Sequence, residues 1–245
     1  MPVGVEPRSV MSAATATMTE VPLAPAISSS TSTIKLNGSA LPTLRALYTR
    51  ATHSFVQRDL AQTLSLVDQA FNVLSSPPSQ SSLADGLSSH RRKWDILRIT
   101  LATTLYSSTT SKSFKKETKE LQLPPHDFVQ SLRTRSLRLF TPQSLSEPSA
   151  RYVPPQVILL LAVSALKFDV TTLAREIIED WLTKRSQDDG LEDAGAYEKI
   201  IEVYCLHVLA RLSAWEDARE FMRYEGELPP EAKQVWDDDL KEFCR

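Results

Sequence analysis

Four histidines, two cysteines and two knots of carboxylates are the side chains of this sequence with the most scope for chemistry. A metal site needs ligands whose spacing brings them to one point. His53, His90, His126 and His207 share no such spacing. Cys205 and His207 stand two residues apart, which on a helix turns them about 200° away from each other. They cannot chelate one ion together, and His207 reads as a partly buried structural histidine. Acid–base catalysis asks for paired carboxylates in opposed environments. Glu176, Glu179 and Asp180, and then Asp237-Asp238-Asp239, lie on stretches whose other faces are apolar. They read as solvated helix faces, with Asp237 to Asp239 alternatively an acidic contact for a basic partner. Six scattered glycines form no phosphate-binding loop, and no Gly-x-Ser-x-Gly elbow occurs. The pattern predicts no catalytic residue, no cofactor and no metal.

Three basic stretches, His90 to Arg98, Lys112 to Lys119 and Arg133 to Arg138, raise the possibility of RNA. Nucleic-acid binding usually adds exposed aromatics and a basic balance. The net charge here is −2, and Trp94, Trp181, Trp215 and Trp236 each fall on an apolar stripe, as core anchors do. No nucleic-acid partner is expected. The charge is unevenly spread. Residues 1–151 hold 17 Lys/Arg against 10 Asp/Glu, and residues 152–245 hold 11 against 20. Such a dipole orients a protein toward a charged partner; alternatively it records only differing solvated faces.

The elements that must position these residues read as helices throughout. Apolar residues make up 42% of the 245, and fifteen prolines outnumber the glycines. No run alternates like a strand, which argues against a sheet. Residues 1–40 are rich in Ser, Thr, Ala and Pro, the composition of a disordered tail. Residues 41–245 then form one helical-repeat domain. Order is expected from about Pro42, with Leu44, Leu47, Tyr48, Ala51 and Phe55 on one face. Leu60, Leu64, Val67, Phe71 and Leu74 form the next stripe, and Trp94, Leu97, Leu101 and Leu105 the third. Leu64, Val67, Phe71 and Trp94 are expected to be buried between helices. His90 to Lys93 put cations at a helix start, where the dipole disfavours them, so that cluster alternatively begins in the preceding loop. Residues 107–119 read as a polar connection.

Leu123-Pro124-Pro125, Val153-Pro154-Pro155 and Leu228-Pro229-Pro230 each place a proline pair before an amphipathic run. Proline fits the first helical turn and stops the previous helix. Helices follow at 125–140, 155–167, 170–186, 193–212, 215–224 and 230–243. Arg58 to Leu64, Phe168 to Ala174 and Trp215 to Phe221 look alike: an acidic residue at a turn, then an apolar stripe. The fold class expected is all-α, an α-solenoid-like stack of antiparallel helix pairs. Such stacks present extended surfaces that bind proteins. Two cysteines make no disulfide framework and suit a reducing compartment. No secretory signal is visible, and the longest apolar run, Val157 to Val163, falls far short of the roughly 20 residues of a membrane span.

The order of these elements resembles the peroxin twenty-six/peroxin fifteen family of tail-anchored peroxisomal receptors. The residues that carry the likeness are Val56 through Phe71, Arg92 through Arg98, Val153 through Leu160, Ala174 through Leu182, and Tyr197 through Ala218 with its Ser213-Ala214-Trp215-Glu216-Asp217 turn. It covers about residues 42–243. The resemblance implies an all-helical cytosolic domain akin to tetratricopeptide folds, with no enzymatic activity. It implies an adaptor that recruits an AAA ATPase to the cytosolic face of the peroxisomal membrane, where the motor extracts ubiquitinated import receptors. The family's membrane attachment is a hydrophobic C-terminal anchor, and this sequence runs to Phe243-Cys244-Arg245 without such a segment. The tetratricopeptide glycine is missing from the first helix of each pair, which makes any such repeats divergent. The first helix pair, 42–75, is the expected ATPase contact, through Arg45, Tyr48, Arg50, Arg58, Asp59 and Gln62. A soluble helical-repeat chaperone or targeting factor for tail-anchored or organellar proteins is the alternative.

Overall fold

Among the described residues of a computed structural model, which are 33–79, 86–108, 119–185 and 194–243, every regular element is helical. The order is α1 (Thr33–Val56), α2 (Leu60–Val73), α3 (Ser88–Ser107), a 3₁₀ turn (Lys119–Gln122), α4 (Pro125–Phe140) and a second 3₁₀ turn (Ala150–Tyr152). Then come α5 (Pro155–Lys167), α6 (Thr171–Lys184), α7 (Ala194–Glu202) running on as a π-helix (Val203–Leu209), α8 (Trp215–Tyr224) and α9 (Pro230–Phe243). Each helix packs on its neighbours in sequence, so the chain advances as a stack. The α1–α2 and α5–α6 pairs pack most extensively.

Proline explains three starts. α4, α5 and α9 each begin on the second proline of a pair. The ring presets φ, and the missing N–H is one a first turn leaves unpaired anyway. α1 departs from expectation. It begins at Thr33, not near Pro42, and Pro42 lies inside it, removing one backbone bond. The rest of the expected tail, residues 1–32, lies outside the described residues. So do residues 109–118 of the polar connection and the Asp237 to Asp239 side chains.

The three look-alike segments share a turn rather than an acidic residue. Arg58, Asp169 and Ser213 have φ of 62°, 60° and 57°. In each, the left-handed residue's N–H bonds the carbonyl three back, and the next N–H reaches five back. The pairs are Arg58 to Phe55 and Asp59 to Ser54, Asp169 to Leu166 and Val170 to Ala165, and Ser213 to Ala210 and Ala214 to Leu209. This is the Schellman helix stop, made three times without glycine. Only Asp59 uses its carboxylate there, capping α2 by accepting from Gln62 N–H at 3.0 Å. Five residues past each left-handed residue, a small side chain lets the helices cross closely: Thr63, Ala174 and Ala218 are all fully buried.

The core runs the length of the stack and includes Trp94, Leu101, Phe128, Leu161, Ile177 and Leu209. Each such side chain contributes roughly 1.5–3 kcal/mol through burial. The expected stripe divides. Val67 and Trp94 are buried, but Leu64 and Phe71 are only half-buried, because their side of α2 borders a groove. Trp181 and Trp236 are buried as expected, while Trp215, the first residue of α8, is half-buried. Cys205 and His207 point apart on the π-helix as their spacing requires. His207 is exposed, however, not partly buried, since the core is on the Cys205 side. Among the described residues, no helix is long and apolar enough to cross a membrane.

Candidate functional site: surfaces for protein binding

The first helix pair does not gather its six candidate residues on one face. Arg45 and Arg50 are exposed on α1, but five residues apart they diverge by about 140°. Tyr48 is half-buried, its ring edge-on to Trp94 at 5.3 Å. Arg58 is exposed at the left-handed turn. Asp59 and Gln62 build that turn: Asp59 caps α2, and Gln62 Oε1 accepts from the Ser54 hydroxyl at 3.1 Å. Arg45, Arg50 and Arg58 therefore remain as available surface cations, while Tyr48, Asp59 and Gln62 have structural work. Near Arg45 lies His90, at the start of α3. Burial, then the charges of Lys93 and Arg45, hold its pKa below the ordinary value.

The basic stretch His90 to Arg98 is mostly inside the fold: His90, Arg91 and Arg98 are buried, Arg92 is half-buried and Lys93 is exposed. α3 starts at Ser88, so His90 and Arg91 do occupy its first turn, and both are buried. Arg91 Nε donates to the Ser75 carbonyl at 2.6 Å, just beyond the C-terminus of α2. The negative end of that helix's dipole offsets the poor position at the start of α3. One turn on, Arg98 and Asp95 form a buried ion pair, 5% and 0% exposed. Ser136 of α4 completes it. Its hydroxyl donates to Asp95 Oδ2 at 2.7 Å and accepts from Arg98 Nη2 at 3.0 Å. This network fastens α4 to α3. Arg98 Nη1 is buried with no partner among the described residues, and the guanidinium sits 5.9 Å from the Phe71 ring centre.

Beside that network runs a groove. A cavity of about 340 Å³ is floored by Leu101 and Ala102 and walled by Leu64 and Phe128, with Arg98, Lys119 and Arg135 on its rim. A second, of about 190 Å³, lies between Phe71 and Leu139, with Arg98, Arg135 and Arg138. Arg98 and Arg135 line both, so the two lie side by side along one groove edge. In the sequence Arg98, Arg135 and Arg138 stand out only as members of two basic stretches weighed for RNA, not as the lining of a groove. The available signal was Arg98 itself, a cation four residues after Trp94 on an apolar stripe.

The carboxylates expected to be solvated tie helices together instead. Glu176 is exposed, but Glu179 and Asp180 are half-buried. Glu179 accepts from Arg175 and from the Tyr204 hydroxyl, both at 2.7 Å. Asp180 meets Arg133 of α4 at 2.8 Å and Lys184 at 2.5 Å. Burial opposes its ionisation, but these two cations prevail and hold its pKa below the ordinary value. Further on, a cleft of about 520 Å³ is lined by Tyr197, Phe221, Tyr224 and Glu220. Arg185 lies across it, 4.1 Å from the Tyr197 ring and paired with Glu227 at 2.8 Å. Glu225 accepts from Tyr197 at 2.9 Å and from the Glu227 and Leu228 amides at 2.8 Å. Cys205 is buried, which pushes its thiol up to about 12. A thiol in that state is no nucleophile near neutral pH.

Among the described residues no three His, Cys, Asp or Glu side chains are grouped to hold a metal ion. What the arrangement offers is charged and apolar surface on a rigid stack. Compared with family models, with curated proteins and with solved structures, the chain matches none.

Proposed function

We propose that this protein is a non-catalytic adaptor that recruits an AAA ATPase to the peroxisomal membrane for recycling of ubiquitinated import receptors. Two things support the reading. One is the likeness of residues 42–243 to the peroxin twenty-six/peroxin fifteen family. The other, which carries it, is the stack of helix pairs joined by three glycine-free Schellman turns, an architecture that presents surface along its length. The surface cations Arg45, Arg50 and Arg58 of the first pair contact the ATPase, and a membrane anchor outside this chain holds the assembly in place.

The test is capture of a purified peroxisomal AAA ATPase on the immobilised chain. Charge reversal at Arg45, Arg50 and Arg58 together weakens capture while leaving the helical circular dichroism intact, and rising salt slows association. Unchanged affinity in the triple variant removes this pair from the interface. No capture of the ATPase by well-folded protein overturns the reading in favour of a chaperone-type adaptor.

A further inference from the structure

We propose that the groove between α2, α3 and α4 receives an acidic amphipathic peptide segment of a partner protein. A carboxylate of that segment pairs with Arg98 and Arg138, and its apolar side chains enter the cavity floored by Leu101 and Ala102. The groove is open because α2 and α4 flank α3 on either side, leaving Leu64 and Phe71 half-buried along its edge. Seven residues apart on α2, these two are about 10 Å apart along the axis, close to two helical turns. That is the spacing at which a docked helix presents successive apolar anchors.

Charge selects the occupant. Lys119, Arg98, Arg135 and Arg138 line the two cavities, against Asp68 and Glu120. Asp95 and Ser136 engage one side of the Arg98 guanidinium and, among the described residues, leave Nη1 buried without an acceptor. A buried donor left unmade is costly, and a carboxylate is the acceptor that guanidinium geometry matches best. Arg138 is exposed and, among the described residues, has no carboxylate partner. Arg135 is held by Glu120 at 3.2 Å, an exposed pair that contributes little and exchanges easily. The chain's own segments fit poorly. Residues 109–118 carry three lysines against one glutamate, and residues 1–32 only two glutamates.

The test uses the full 245-residue chain and fluorescence anisotropy of a labelled peptide of about 14 residues, with Leu at helical anchor spacing and Glu between. Two controls replace every Glu by Lys, or every Leu by Ser. Arg98 is left intact, because its ion pair holds α3 to α4. Arg138→Glu acts on exposed charge, and Ala102→Trp fills the cavity floor. The acidic Leu peptide binds, both controls bind at least about tenfold more weakly, and each variant loses about tenfold in affinity. Absent binding, equal binding of the Lys peptide, or full affinity in both variants overturns the proposal. So does self-association of the chain that Arg138→Glu abolishes, which assigns the groove to a second copy. Failure here leaves the ATPase reading standing, since that is measured with another partner on another surface.

Discussion

The α3–α4 interface and the α6–α8 region use the same residue types to opposite ends. At α3–α4, one carboxylate, Asp95, serves a buried arginine whose Nη1 keeps no acceptor among the described residues. At α6–α8, carboxylates are plentiful and the cations are met: Glu179 takes Arg175 and Tyr204, Glu227 takes Arg185, and Glu225 takes Tyr197 and two amides. The difference follows the charge balance of the two halves, basic before residue 152 and acidic after it. Where acids are scarce a buried donor is left over beside a groove. Where they abound, the polar groups close on one another and fasten helices. The first arrangement is ready for a ligand; the second is a scaffold.

The largest effect that separates the two comes from Asp95→Ala. It leaves Arg98 charged and buried, which costs about 3–5 kcal/mol in denaturant unfolding. A loss below about 1 kcal/mol would mean that water reaches the guanidinium and that the interface is not closed. In the acidic half, Glu225→Gln costs less, about 1–2 kcal/mol, because Gln still accepts a hydrogen bond and no buried charge is left unpaired. Burial raises the pKa of Glu225, but the Glu227 and Leu228 amides, Tyr197 and Lys233 outweigh it and hold it below its ordinary 4.5. The stability it adds is therefore present in full above about 4.5 and is lost as pH falls through the depressed value. Asp180 behaves alike from its ordinary 3.8. Melting temperatures of the parent and Glu225→Gln should converge as pH falls below 4.5. A constant gap down to pH 3 would assign the effect to packing.

The smallest effect concerns what the halves share. Non-glycine residues in left-handed geometry cost about 1 kcal/mol. Arg58→Gly, Asp169→Gly and Ser213→Gly should each stabilise by somewhat less than that, after glycine's unfolded-state entropy is subtracted. Thermal melts read it. Equal gains make the three turns equivalent, and a loss at Ser213 alone would mark the π-helix before it as a distinct stop.

Helix starts were legible wherever proline wrote them, at Pro125, Pro155 and Pro230, because its ring both ends one helix and presets the next. The turns were legible as a recurring pattern, though the acidic residue noticed at each was incidental and the shared element was backbone. The π-helix at Val203–Leu209 was not, since one extra residue per turn barely disturbs an apolar stripe. Nor was the start of α1 at Thr33, which lies among residues of tail-like composition. The groove escaped for a different reason. A buried Asp95–Arg98 pair and a solvated basic patch have the same sequence, and only the approach of Ser136, far along the chain, distinguishes them. The half-burial of Leu64 and Phe71 is invisible for the same cause: a stripe says which face is apolar, not what covers it.

The central claim, that this stack is a docking surface for an AAA ATPase, is tested most directly by hydrogen–deuterium exchange of the chain with and without the purified hexamer. The account predicts slowed exchange in the turn around Arg58 and in α1 around Arg45 and Arg50, with the distant helices α5 and α6 unchanged. Identical exchange throughout, at hexamer concentrations well above those of any productive encounter, would contradict it.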